Sequence, residues 1–310
     1  MTTSSIQTGD CVAVMSGMPK ESVHTCITSP PYFGLRDYGV DGQVGAEDTP
    51  HAFVEKLVEV FAAVRRILRD DGTVWLNLGD SYAAQRSGTA MPAETIAGGQ
   101  SGQSVNGRGN RGRGDTAAAS VDCKTRRPSG SGPAHRNAAA IGLKHKDLIG
   151  IPWRVALALQ SDGWYLRQDI IWHKPNPMPE SVRDRCTKSH EYIFLLSKSQ
   201  KYYYDAEAIK EQSKSGVATR RNKRSVWSVS TRPFKGAHFA VFPEELIYPC
   251  VIAGCPKGGT VFDPFTGSGT TGVVANRNGR NFIGCDLNPD YVKIAQDRIR
   301  EESPLFTEVA

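Results

Sequence analysis

The chain has 310 residues, of which 39% are hydrophobic and 23% charged, a balance typical of a globular protein with one large core. No apolar run reaches the roughly 18 residues of a membrane helix, and the N-terminal MTTSSIQTGD lacks the pattern of a secretory signal, so we expect a cytoplasmic protein. The seven scattered cysteines form no CxxC pair, which favours free thiols over a metal site.

The net charge of +6 is unevenly distributed along the chain. Residues 86–147 carry a net charge of +6 and residues 210–235 carry +7, so the remainder of the chain is acidic. Two basic segments on an acidic body suit a polyanionic partner. Basic loops that serve only solubility would give the same pattern, so charge alone does not decide between the two.

The first predicted unit is a strand, a helix and a second strand. Residues 22–28 (SVHTCIT) are predicted to form a buried strand that runs into a proline-stiffened turn at 29–32. Apolar residues recur at helical spacing over 53–68, and Asp70-Asp71-Gly72 is expected to end that helix. Residues 73–78 (TVWLNL) then form a strand.

A compositionally different segment follows this unit. Residues 85–147 are rich in Gly, Ser, Ala and Arg and almost lack aromatic residues. Such a segment cannot bury enough apolar surface to fold alone, and we interpret it as a flexible insertion.

Strands and helices alternate again after the insertion. A helix is predicted over 148–160 and strands over 166–173 and 190–197, with a rigid KPNPMP run between the two strands. Beyond the basic segment, the predicted elements are helices over 243–253, 272–278 and 290–299 and strands over 260–262 and 281–285. This alternation predicts an α/β fold with a doubly wound, mostly parallel sheet.

The run Gly267-Ser268-Gly269-Thr270-Thr271-Gly272 has GxGxxG spacing between a predicted strand and a helix, and Asp286 ends the next strand. Glycines let a backbone approach its ligand closely, and a carboxylate can accept both hydroxyls of a ribose. An NAD-dependent oxidoreductase shares this spacing, but too little chain follows for its second nucleotide-binding half. A P-loop would need a lysine after the glycines. A nucleoside ligand without phosphate fits better, and S-adenosylmethionine is the obvious one.

The turn Ser29-Pro30-Pro31-Tyr32 follows a strand, where open α/β sheets bind their ligands. The exocyclic amine of a base is a poor nucleophile because its lone pair is conjugated with the ring, so its methylation needs acceptors for the amine hydrogens. Ser29 Oγ and the Pro30 carbonyl can be those acceptors. Tyr32 offers a flat face for a base lifted out of its stack. Taken alone, the same string also fits an ordinary turn.

Together the two motifs resemble the β class of DNA amino-methyltransferases, which carry a (Ser/Asp/Asn)-Pro-Pro-(Tyr/Phe/Trp) turn ahead of a DPFxGSGTT turn. The resemblance extends to Gly9-Asp10, to 169–179 (DIIWHKPNPMP) and to 238–246 (HFAVFPEEL). It implies a Rossmann-like fold with permuted motif order, S-adenosylmethionine as cofactor, and double-stranded DNA as the partner whose target base is flipped out.

The resemblance also implies roles for individual residues. Ser29, Pro30, Pro31 and Tyr32 would form the catalytic turn. Asp10 would bind the adenine amine of the cofactor and Asp286 its ribose, while the methionine end would lie against Asp263, Pro264, Phe265, Gly267, Gly269 and Thr270. The implied DNA-binding residues are Lys174, Arg220, Arg221, Lys223, Arg224 and Trp227.

These inferences divide the chain into five segments. They are a catalytic half (1–84), the insertion (85–147), a continuation of the methyltransferase domain (148–204), a target-recognition region (205–235) and a cofactor-binding half (236–310). Serine at the start of the turn favours N4 of cytosine as the target, with N6 of adenine as the alternative. An NAD-dependent oxidoreductase and a non-enzymatic DNA-binding module are remote alternatives. A cognate restriction endonuclease and a homodimer both stay open.

Overall fold

The computed structural model describes residues 2–35, 40, 42–84, 138, 141–213, 220–232, 242–302 and 307–309. Most of the predicted insertion, and with it the expectation that this segment is flexible, lies outside the described residues. No helix in the described part of the chain is long and apolar enough to cross a membrane.

The described residues form strands and helices, and each kind is numbered in chain order. The strands are β1 (Thr2–Thr8), β2 (Val23–Thr28), β3 (Leu68–Leu78), β4 (Tyr165–His173), β5 (His190–Ser197), β6 (Glu211–Gln212), β7 (Arg220–Arg221), β8 (Val226–Ser228), β9 (Thr260–Asp263), β10 (Asn281–Asp286) and β11 (Thr307–Val309). The helices are α1 (Cys11–Gly17), α2 (Pro50–Ile67), α3 (Ile151–Ser161), α4 (Glu244–Gly254), α5 (Thr270–Arg277) and α6 (Pro289–Glu302).

One large sheet organises the molecule. Its strand order is β11-β1-β10-β9-β2-β3-β5-β4-β8, and β6 pairs with β7 separately. Strand β5 runs antiparallel to both of its neighbours, whereas the other adjacent strands of the large sheet are parallel. The predicted doubly wound, mostly parallel α/β fold is therefore confirmed.

Helices cover both faces of this sheet. Helices α1 to α3 share one hydrophobic core with the sheet, and α4 to α6 share the other. Alternation along β5 shows the division, because Phe194 and Leu196 enter the first core while Ile193 and Leu195 enter the second. A sheet covered in this way exposes its strand ends, and ligands of open α/β sheets bind at the carboxyl ends.

Some predicted boundaries differ from the structure. The helix expected to run to Asp70-Asp71-Gly72 ends at Ile67, and β3 already begins at Leu68, which pairs with Val23 of β2. Pairing with β2 thus overrides the local turn signal. The next predicted helix begins three residues late, because Gly150 adopts a left-handed conformation (φ +78°) immediately before α3.

Candidate active site

The residues expected to bind the cofactor and the target lie along one edge of the sheet. Strands β1, β10, β9 and β2 are parallel neighbours in that order, so their carboxyl ends are adjacent. Asp10 follows β1, Asp286 ends β10, and the catalytic turn follows β2. The Gly9 amide donates a 2.9 Å hydrogen bond to the carbonyl of Asp286, which ties the first two of these strand ends together.

The glycine-rich turn between β9 and α5 depends on two left-handed residues. Gly267 has φ +52°, and Gly269, the residue before α5, has φ +78°. A Cβ on Gly269 would lie 3.0 Å from the Cβ of Ala295 in α6, so both the conformation and the space favour glycine. Glycine at position 269 therefore lets the turn pack directly against α6.

Asp286 lies beside this turn. Its Oδ2 accepts the Gly267 amide at 2.9 Å, and its Oδ1 accepts the Asn288 amide at 3.0 Å. Burial raises the pKa of the carboxyl group, although the residue remains partly exposed. A carboxylate has about four lone-pair positions, so both oxygens keep capacity for a ligand hydroxyl.

Asp263, by contrast, lies beneath the turn and is only 1% exposed. Its carboxylate accepts the hydroxyls of Thr28 and Thr271, each at 2.7 Å, and the Phe265 amide at 3.0 Å. Burial raises the pKa of Asp263 to about 6. Asp263 is therefore bonded within the protein, and its place at the methionine end of the cofactor stays a prediction. It braces the turn from below, and Phe265 is the partly exposed residue above it.

Two further predicted contacts also point inward. The Thr270 side chain is 2% exposed, and its hydroxyl accepts a 2.9 Å hydrogen bond from Arg298 of α6. Pro264 is buried, and its carbonyl accepts the Cys285 thiol at 3.5 Å. The Pro264 carbonyl and the Thr270 hydroxyl hold the turn against β10 and α6, and the contact of these two residues with the cofactor stays a prediction.

The Ser-Pro-Pro-Tyr turn leaves β2 at the same edge. Pro30 is buried, whereas Ser29, Pro31 and Tyr32 are partly exposed. The Tyr32 hydroxyl donates a 2.8 Å hydrogen bond to Glu191 Oε2. Thr28, the residue before the turn, bonds Asp263, and this contact places the turn directly beside the glycine-rich turn.

Glu191 was not singled out in the sequence. It lies at the start of β5, and the antiparallel direction of β5 brings that start to the carboxyl edge of the parallel strands. Its Oε1 accepts Lys174 Nζ at 2.5 Å, and Lys174 also lies 4.2 Å from the ring centre of Trp172. The ammonium is thus paired within the site, and the contact of Lys174 with DNA stays a prediction.

The basic residues of the predicted target-recognition region divide into two groups. Arg221 and Arg224 both bond Glu211 Oε1, at 2.9 and 2.6 Å, which offsets part of their charge. Arg220 is exposed, and Lys223 is partly exposed with its ammonium 4.8 Å from the ring centre of Trp227.

Trp227 belongs to the protein interior. The residue is 6% exposed, its ring centre lies 6.4 Å from that of Trp75, and its indole N–H donates to the Arg224 carbonyl at 2.7 Å. The side chain is thus enclosed within the protein, and its contact with DNA stays a prediction.

The described residues on either side of 85–137 lie together at the same edge. The Ala138 amide donates to the Ala84 carbonyl at 2.9 Å, and the Ala83 amide donates to the Asp147 carbonyl at 2.9 Å. Asp80, just beyond β3, accepts the amides of Gly150 and Ile151 at 3.0 and 3.1 Å. Residues 85–137 therefore begin and end at adjacent points.

Comparison with known proteins gives consistent matches. A family model described as DNA methylase matches residues 23–297. The chain is 47% identical to "Type II methyltransferase M.Cfr9I" of Citrobacter freundii over 97% of this chain and 89% of that protein. It is 48% identical to "Type II methyltransferase M.SmaI" of Serratia marcescens, over 94% and 89%.

Solved structures share the fold. A putative DNA modification methylase from Thermus thermophilus, solved with S-adenosyl-L-methionine, superposes with a TM-score of 0.60 at 22% identity over the full length of both chains. The cytosine-N4-specific PvuII DNA methyltransferase superposes with a TM-score of 0.62 at 18% identity, over 98% of this chain and 94% of that one.

Proposed function

The chain belongs to the DNA methylase family whose model covers N6 and N4 methyltransferases, and within that family we propose that it methylates N4 of cytosine in double-stranded DNA, with S-adenosylmethionine as the methyl donor. The observation that carries this proposal is the position of Ser29. It opens the catalytic turn at the carboxyl end of β2, beside the strand that leads into the glycine-rich turn. In the resembled β class, serine at this position favours cytosine.

The residues present fit S-adenosylmethionine. The left-handed turn at Gly267 and Gly269 lies directly beside Asp286, which offers a partly exposed carboxylate for ribose hydroxyls. Asp10 is exposed at the next strand end for the adenine amine. When bound, the cofactor supplies an electrophilic methyl group on a sulfonium.

The catalytic turn acts on the amine. Ser29 Oγ and the Pro30 carbonyl accept the two N–H groups of the target amine, which withdraws its lone pair from the ring and aims it at the methyl group. Both prolines restrict the backbone, so the carbonyl direction is set before the base arrives. Tyr32 provides the ring on which the flipped base stacks.

Cations of the predicted target-recognition region are proposed to hold the DNA. Arg220 and Lys223 form no ion pair with the described residues and are proposed to contact the duplex, whereas the pair of arginines on Glu211 contributes less net charge. Since the relatives named above are Type II methyltransferases, we also propose a cognate restriction endonuclease that cuts the same sequence.

Methylation of unmodified plasmid DNA, followed by enzymatic digestion and nucleoside mass spectrometry, tests the proposal. We expect N4-methylcytosine as the product. Detection of N6-methyladenine instead would overturn the choice of base. If no methylated nucleoside forms in the presence of S-adenosylmethionine and DNA, the proposed activity is overturned.

A further inference from the structure

The hydroxyl of Tyr32 is hydrogen-bonded to a largely buried ion pair, Lys174 and Glu191. Tyr32 donates to Glu191 Oε2 at 2.8 Å, and Lys174 donates to Glu191 Oε1 at 2.5 Å. The side chains of Lys174 and Glu191 are only 18% and 14% exposed. The Glu191 carboxylate at the start of β5 thus joins the turn after β2 to Lys174, the residue that follows β4.

The ring of Tyr32 is closely surrounded at the same time. A Cβ on Gly79, just beyond β3, would lie 2.6 Å from the Tyr32 ring, so only glycine leaves room for it there. The Tyr32 hydroxyl has a second, longer contact with Asn77 Oδ1 at 3.4 Å, and the Asn77 side-chain amide donates to the Tyr192 carbonyl at 3.1 Å and to Glu191 Oε2 at 3.3 Å, which holds both acceptors in place. The hydroxyl and one edge of the ring therefore have defined positions.

Such a pair has little value for stability alone. Removing two charges from water costs about as much as their attraction returns, so a well-packed apolar pair would stabilise the fold equally well. A charged acceptor does, however, make a shorter and stronger hydrogen bond to a hydroxyl than a neutral one. The arrangement is therefore better explained by the orientation it imposes on Tyr32.

We propose that Glu191 is a positioning residue for the target base, which acts by holding the Tyr32 hydroxyl, and that Lys174 is its counter-ion. The proposal rests on the proposed function, in which the flipped base stacks on Tyr32. A fixed ring sets the position of the base amine relative to Ser29, and small errors of placement lower the rate of a reaction more than they weaken binding.

The test is a double-mutant cycle on methylation kinetics. Tyr32→Phe removes only the hydroxyl. Lys174→Met with Glu191→Leu removes the Glu191 acceptor and both charges of the pair together, so that neither partner is left buried without the other. We expect each change to lower kcat by roughly tenfold, the equivalent of one lost hydrogen bond, with KM for DNA nearly unchanged. When both are combined, kcat should fall no further, because they break the same bond.

A matched variant separates positioning from packing. Lys174→Met with Glu191→Gln also removes both charges but keeps an amide oxygen within reach of the Tyr32 hydroxyl, so kcat should recover most of the loss seen with leucine. Additive losses in the cycle, or equal kcat for the Gln and Leu variants, would overturn the proposal. A raised KM for DNA in both double variants that carry Lys174→Met would show that Lys174 contacts DNA, and it would overturn the role of Lys174 as counter-ion.

The failure of the proposed function would look different. Tyr32→Ala removes the ring itself, and wild-type kcat in that variant would show that the base does not stack on Tyr32. That result would overturn the stacking role of Tyr32, whatever result the double-mutant cycle on Tyr32 and Glu191 gives.

Discussion

The Thr28 hydroxyl donates a 2.7 Å hydrogen bond to Asp263 Oδ1, and this bond joins the catalytic turn to the glycine-rich turn. The two residues end neighbouring parallel strands, β2 and β9, and they are separated by 235 positions in the sequence. The same carboxylate also accepts the Thr271 hydroxyl in α5. Asp263 thus sets the spacing between the sites proposed for the target base and the methyl donor.

Replacing Thr28 tests that connection. Thr28→Val keeps the shape but removes the donor, and it leaves Asp263 Oδ1 with only the Phe265 amide among its described donors. We expect the free energy of unfolding to fall by about 1.5–3 kcal/mol in urea denaturation. Thr28→Ser retains the hydroxyl and serves as the control. Equal losses for Val and Ser would mean that the hydrogen bond contributes nothing beyond packing.

The raised pKa of Asp263 predicts a pH dependence of stability. The pKa rises from 3.8 to about 6 on folding, so the folded protein binds this proton more tightly than the unfolded chain does. The ionised group therefore lowers the free energy of unfolding above pH 6, and this penalty disappears as the pH falls toward 4.

Asp263→Asn should remove that dependence. The difference in the free energy of unfolding, variant minus wild type, should be higher at pH 7.5 than at pH 4 by about 3 kcal/mol, which means that the variant gains stability at the higher pH. Comparison between two pH values cancels any constant cost of the amide. Urea denaturation across this range measures it, and a difference that does not change with pH would contradict the assignment.

Asp286 is expected to bind the cofactor ribose. Asp286→Ala should weaken S-adenosylmethionine binding by about 1.5–3 kcal/mol, the typical loss for hydrogen bonds to a charged group, as measured by calorimetry. Asp290→Ala, which alters an exposed acid in the first turn of α6, is the control and should bind normally. Unchanged affinity in Asp286→Ala would remove this residue from the site.

The insertion should be separable from the fold. Because the Ala84 carbonyl and the Ala138 amide are bonded, a short Gly-Ser linker can replace residues 86–136 without separating its two ends. We expect the trimmed protein to bind all DNA more weakly, with a smaller dependence on salt, since the deleted segment carries many arginines. Its methylated sequence should stay the same.

Sequencing of methylated sites gives the contrast. Arg220→Ala and Lys223→Ala change the predicted target-recognition region and should relax or shift the methylated sequence. A changed target after trimming, with none after these substitutions, would reverse the two roles.

Elements with a clear local pattern were predicted from sequence. The strand over 190–197 has the bounds of β5, and the strand over 22–28 differs from β2 by one residue. Strand β1 was missed because its sequence TTSSIQT is mostly polar and buries only Ser4 and Ile6. Its position depends on pairing with β10, which a local pattern does not contain.

The candidate site shows the same limit. The motifs at Ser29 and Gly267 were each predicted to follow a strand, and the structure brings the ends of those two strands together at one edge. Nothing in HEYIFLLS indicates that β5 runs the other way, and therefore Glu191 was not connected with Tyr32. The side chains of Asp263 and Trp227 are also buried, and the sequence gives the residue type at these positions without showing which way the side chain faces.

The single-turnover rate of methyl transfer by Ser29→Ala tests the central claim most directly. Ser29 is proposed to accept a hydrogen bond from the target amine as the new bond forms, so its removal should slow transfer by about 100-fold or more, the usual cost of losing such an acceptor or donor in a transition state. Cofactor affinity should stay near that of wild type, because Ser29 acts only on the base. N4-methylcytosine formed at the wild-type rate would show that the catalytic turn does not work through this hydroxyl.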